Sequence, residues 1–219
     1  MDPAITLFVG MFTTLLAIIN PLEAIPVFLG LMQGKSDADH RRVAARSCIY
    51  VVALAFFFLV FGNLLLRLFD VPLSIVRVVG GIILVRLGFS LFNPSPGNSL
   101  VPSQTQPGQD GAFVPLAMPV MFGPGAIATV IGLTSTIRAS QDWILSFAAA
   151  SLAIFAAMGV TYLLLAYAQT ILRRIGPQGI DAATRIVGFF VSAMGMGLIF
   201  HGSMEFLQAN GVLHGVQTP

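Results

Sequence analysis

Two short stretches set helix-breaking and polar residues inside otherwise apolar runs: Asn20-Pro21-Leu22-Glu23-Ala24-Ile25-Pro26 and Phe122-Gly123-Pro124-Gly125-Ala126. Each proline removes a backbone donor and crowds the preceding turn. An interrupted helix leaves unpaired N–H groups at one half-helix start and unpaired carbonyls at the other end. The N–H end suits a carboxylate and the carbonyl end suits an ammonium or a cation. A zwitterion such as an amino acid carries both charges a short distance apart. Paired interruptions in the two halves of a hydrophobic chain point to a transporter-type binding site. The candidate substrate-binding residues are therefore Asn20, Pro21, Glu23, Gly123, Pro124 and Gly125. A carboxylate is costly in hydrocarbon. Glu23 is thus read as a proton carrier, a partner for a substrate ammonium, or a paired structural charge. Arg86, near the middle of a later apolar run, is its candidate counter-ion.

The remaining polar residues carry weaker signals. His201 and Glu205 lie one helical turn apart and read either as a proton relay or as an interfacial hydrogen bond. Thr129 and Thr134 read as back-bonding to their own helix. Asn20 offers an amide with both donors and acceptors. One cysteine, Cys48, excludes an intramolecular disulfide and a cysteine-based metal cluster. No metal site and no cofactor is expected. The chain has no His-Glu-x-x-His, Gly-x-Ser-x-Gly or P-loop pattern, so an enzyme is not expected.

These residues need membrane helices to position them. The chain is 56% hydrophobic and 9% charged, against roughly 25% charged in an ordinary soluble domain. It reads as an integral membrane protein. The net charge of +2 is small, and no basic-aromatic patch argues for nucleic acid. Apolar runs place spans at about 5–33, 43–68, 73–92, 112–137, 143–171 and 181–208. The first is broken at Pro21 and the fourth at Gly123–Gly125. Met1–Ile19 lacks a basic n-region and reads as a retained span. Trp143 opens the fifth span as an interfacial anchor. Residues 93–110 form a linker rich in proline, glycine and serine, between a first unit at 1–92 and a second at 111–219.

The halves echo each other. Arg77-Val78-Val79-Gly80 matches Arg185-Ile186-Val187-Gly188, and Leu29-Gly30-Leu31 matches Ile131-Gly132-Leu133. Three spans per half insert the second copy upside down, giving two inverted three-helix repeats. Lys35, Arg41, Arg42, Arg46, Arg173 and Arg174 collect on one side; Arg67, Arg77 and Arg138 collect on the other. The positive-inside rule then places both termini outside the cytoplasm.

The two interrupted motifs, with Pro115-Leu116-Ala117-Met118-Pro119 ahead of the second, resemble the MarC family of inner-membrane proteins. That family is also described as neutral amino acid transporters among the LysE-like carriers. The likeness extends to Arg185–Gly188 and covers nearly the whole chain. It implies a bacterial inner-membrane protein of inverted three-helix repeats that carries small neutral amino acids such as glycine and alanine. Proton or sodium coupling, contact with membrane lipid and a homo-oligomer accompany that expectation. Glu23 departs from the family's usual small residue at its position, which leaves coupling and charge preference open. A passive small-solute channel and a non-transporting membrane subunit are the alternatives.

Overall fold

A computed structural model describes residues 3–92, 111–140 and 142–211, with no strand among them. The linker 93–110 and the tail from 212 lie outside the described residues. Seven helices follow in order: α1 Pro3–Ile19, α2 Pro21–Leu31, α3 Asp37–Leu68, α4 Leu73–Phe92, α5 Pro124–Ala139, α6 Trp143–Ala166 and α7 Ala168–Ala209. An irregular segment, Ala112–Met121, precedes α5. Four helices (α3, α4, α6 and α7) are long and apolar enough to cross a membrane, and five spans result if Ala112–Met121 and α5 count as one bent span.

Local chemistry explains where these helices begin and end. Ser36 caps α3: its side chain accepts from the Asp39 N–H at 3.3 Å, while Asp39 Oδ2 accepts from the Ser36 N–H at 3.3 Å. This is a capping box closed by aspartate. The other end of α3 closes in a Schellman turn. Asp70 takes the left-handed conformation (φ 52°), and the Val71 N–H reaches back to the Leu66 carbonyl at 2.9 Å. Pro72 then prevents continuation, and α4 starts at Leu73.

The end of the fifth span differs from the sequence expectation. Backbone hydrogen bonds run through Tyr167, from its N–H to Leu163 and from the Ile171 N–H to its carbonyl, each 3.0 Å. Arg173 and Arg174 are therefore helical, and the break falls at Gly176 (φ 75°, ψ 166°) before Pro177. A left-handed residue in mid-helix suits glycine. Pro177–Gly179, which falls between the expected fifth and sixth spans, opens the last helical stretch, because proline at a first helical position loses only a donor that lacks a partner anyway.

The helices assemble through small residues. The most extensive pair is α4 with α7, which run antiparallel: Gly88 lies on Gly188 and Ser192, Gly81 on Gly195, and Gly202 on Ser74. A Cβ at Gly195 would fall 2.7 Å from the Gly81 carbonyl. Backbones this close are the usual solution for helix packing without a water-driven force. Arg77 reaches Glu205 at 2.7 Å near one end of the pair, and Arg185 reaches the Phe92 carbonyl at 3.2 Å near the other. Elsewhere α6 turns an alanine-rich face (Ala149, Ala150, Ala153, Ala157) inward, and it packs against α1 and α3.

The outside is apolar. Phe61, Leu64, Phe89, Phe155, Phe189 and Phe190 are among many large exposed hydrophobic side chains. A soluble monomer rarely exposes so many large apolar side chains, and a lipid surround covers them at no cost. The Phe56-Phe57-Phe58 block divides between the two environments. Phe57 is exposed, Phe56 packs on Phe155 with centroids 5.5 Å apart, and Phe58 stacks on Phe122 at 6.1 Å.

Candidate functional site

At the first break, Asn20 adopts the left-handed conformation (φ 41°, ψ 71°) and is 1% exposed. Asparagine is among the few residues besides glycine that visit this region. Its N–H donates to the Leu16 carbonyl at 3.1 Å and its carbonyl accepts from the Ala24 N–H at 3.3 Å. The two helices are thus joined at one buried residue, while Pro21 cannot supply the donor that the Ala17 carbonyl needs.

The second break is built differently upstream and alike downstream. Val114 (φ −118°, ψ 124°) and Met118 (φ −135°, ψ 125°) are extended, as residues before proline prefer; both X-Pro bonds here are cis. Lacking the proline donors, the segment makes wide turns: the Leu116 N–H reaches the Gly111 carbonyl at 3.3 Å and the Phe122 N–H reaches Ala117 at 2.9 Å. The chain bends by 65° into α5. There Gly123 precedes Pro124 as Asn20 precedes Pro21, and the Gly123 carbonyl accepts from the Ile127 N–H at 3.1 Å. Both α2 and α5 therefore restart on proline with their N-terminal poles at the break.

These stretches meet in the interior. α2 lies against Ala112–Met121, and α1 touches both that segment and α5. Ser47, on α3, fixes the start of the segment from outside, 2.9 Å from the Ala112 carbonyl. The glycines serve the chain's own packing. A Cβ at Gly123 would fall 2.9 Å from the Pro119 carbonyl, and one at Gly125 would strike Leu84 of α4. Pro21 and Gly125 are buried, Gly123 is half-buried and Pro124 is exposed.

The side chain of Glu23 lies outside the described residues. Arg86 is exposed on α4. It stands two positions from Leu84, about 200° around the helix, and so faces away from the second break. His201 and Glu205 take separate partners: His201 Nδ1 lies 2.7 Å from the Gly197 carbonyl, and Glu205 is held by Arg77.

Two features were missed in sequence. Thr134 donates to the Val130 carbonyl at 3.2 Å, as expected. Thr129 does not back-bond; its hydroxyl is buried and has no hydrogen-bond partner among the described residues. A threonine's sequence context does not distinguish the two cases. The second feature is a cavity of about 770 Å³ between the C-terminal half of α2, the Gln33–Lys35 turn and residues 169–184. Ile25 and Leu29 line its apolar part, and Lys35, Arg173, Asp181 and Thr184 are among its polar wall. Ile25 lies one turn beyond Pro21, so the cavity leads from the cationic end of the bundle to the neighbourhood of the first break.

The family model described as "MarC family integral membrane protein" matches residues 5–207. A relative from Escherichia coli O157:H7, "UPF0056 inner membrane protein MarC", is 31% identical over 207 residues, covering 90% of this chain and 93% of the relative. Proteins of the same name from E. coli O1:K1 / APEC and from strain K12 are 32% and 31% identical over 205 residues, covering 89% of this chain and 92% of each relative. No solved structure matches. With a family match across nearly all of its length and apolar helices of spanning size, the chain belongs to the MarC family of integral membrane proteins.

Proposed function

We propose that this chain is a secondary carrier of small neutral amino acids, of glycine or alanine size, in a bacterial inner membrane. In this reading α1 with α2 is the first span, and α3 and α4 complete a first repeat at 1–92. Across the 93–110 linker, Ala112–Met121 with α5, then α6 extended to residue 175, then 177–209 form the inverted second repeat. The observation that carries the reading is the pair of matched restarts. Two half-helices begin on Pro21 and Pro124, the first directly after the buried Asn20 and the second two residues after the buried Phe122, so each positive pole faces a break in a run of apolar helices. A carboxylate is held at such a pole. The cavity ending at Ile25 offers access from one side, and its rim presents both signs of charge, Lys35 and Arg173 with Asp181. Alternating access follows if the outer side opens when this cavity closes. Glu23 is the group assigned to proton or sodium coupling, with no enzymatic step.

The test is uptake of labelled glycine and alanine into proteoliposomes, with and without proton and sodium gradients, for the native chain and Glu23→Gln. Saturable, gradient-driven flux that shows counter-transport and is lost in Glu23→Gln is expected. Flux linear in solute without exchange would identify a channel instead. No flux with any small amino acid would remove the transport reading.

A further inference from the structure

A second cavity of about 350 Å³ lies at the same cationic end, between the first turns of α3, the end of α6 and the start of α7. Its polar wall is Asp37, His40, Arg41, Gln169, Thr170 and Arg173, and Tyr167 stands at its edge. His40 anchors the wall. Its side chain is 7% exposed, and Nε2 lies 3.1 Å from the Met32 carbonyl, so that nitrogen carries the proton. Nδ1 then accepts from the Gln169 amide at 3.4 Å, which ties α3 to the start of α7 and fixes the width of the cavity.

Two arginines, Arg41 and Arg173, line this cavity, and among the described residues neither makes an ion pair or a hydrogen bond. Asp37 does not neutralise them: its side chain is 93% exposed and turned to solvent, with only a 4.0 Å approach to His40. Two unpaired guanidinium forks beside a threonine hydroxyl and an amide make an oxyanion site, since arginine offers paired donors matching phosphate geometry. The position of the cavity selects the source of the phosphate. Tyr167 is 54% exposed at its edge, and Ile175, one helical stretch further on, is 57% exposed. An exposed tyrosine at the end of an apolar helix marks headgroup depth. The surrounding cations Lys35, Arg42, Arg46 and Arg174, all exposed, add a field that concentrates anionic lipid.

We propose that this cavity is a binding site for the phosphate of an anionic membrane phospholipid, gripped by Arg41 and Arg173. The site stands whether or not the chain moves amino acids. The probe is dioleoylphosphatidylglycerol, titrated into the full chain purified in a non-ionic detergent and followed by native mass spectrometry. The native chain retains the lipid, and dioleoylphosphatidylcholine is retained far less. Arg41→Gln/Arg173→Gln weakens retention roughly tenfold or more, from about one favourable contact per arginine. Arg42→Gln/Arg174→Gln removes the same charge beside the cavity and weakens it less than about threefold, because exposed charges with no fixed partner contribute little. Arg41→Lys/Arg173→Lys, which keeps the charge and the surface exposure, retains more lipid than the glutamine pair; each variant is first checked for native elution. Equal weakening by the two glutamine pairs overturns the site in favour of diffuse surface attraction. Equal retention of phosphatidylcholine overturns it as well. Full displacement by millimolar inorganic phosphate overturns the lipid source and assigns the cavity to a soluble phosphate.

Discussion

Thr129 and Thr134 lie on one helix, and only one of them satisfies its hydroxyl. A buried hydroxyl without a partner costs about 1–3 kcal/mol, whereas an apolar group of the same shape costs nothing in hydrogen bonds. Thr129→Val is therefore expected to leave thermal stability unchanged or raise it by up to ~1 kcal/mol. If the hydroxyl serves the transported solute, the same change lowers uptake about fivefold or more, the loss expected of one hydrogen bond. Thermal unfolding in detergent and proteoliposome uptake check the two halves separately. A fall in both would mean that Thr129 is structural. Asn20 carries a different constraint: its left-handed backbone makes Asn20→Gly tolerable and Asn20→Val destabilising by roughly 1–2 kcal/mol. The order of midpoints, native and glycine above valine, tests this.

Among the elements, the α4–α7 pair has the least room for change. Gly195→Ala places a methyl against the Gly81 carbonyl and the α4 backbone, and overpacking of this kind costs about 1–3 kcal/mol. Gly197, on the same helix, faces open space, so Gly197→Ala is expected to shift stability by less than ~0.5 kcal/mol. A matched loss in both would show that helix propensity rather than packing is measured. Pro21 and Pro124 made both breaks legible in the sequence, because proline acts locally. Arg77 and Arg185 were legible as an echo, and each does reach across to the partner helix of the same pair. The large cavity was not legible, since Ile25, Lys35, Arg173 and Asp181 become neighbours only after the last helix docks. Neither was the end of the fifth span. Arg173 and Arg174 look like the start of a loop, yet the helix continues to Gly176, where its backbone turns left-handed.

At the scale of the molecule, charge predicts an orientation. Lys35, Arg41, Arg42, Arg46, Arg173 and Arg174 are exposed, and the positive-inside rule predicts that the end carrying them faces the cytoplasm. A carboxy-terminal alkaline phosphatase fusion is then expected to be active, and a green fluorescent fusion dark. The reverse pattern would invert the topology and place the large cavity on the outer face.

The pairing of α4 with α7 also bears on how the protein is made. α4 meets α7 through Gly81 and Gly88, where the two backbones come too close to admit a side chain. Its partner lies on the order of a hundred residues downstream, so during synthesis the Gly81–Gly88 face of α4 stays unmatched until Ala112–Met121, α5 and α6 have been inserted. A chain terminated before Gly188 never supplies the matching surface. Such fragments are expected to insert normally and then be cleared by membrane proteases, with a half-life well below that of the full chain in a pulse-chase experiment. Completion of the last helix, more than any early folding event, would act as the checkpoint for survival.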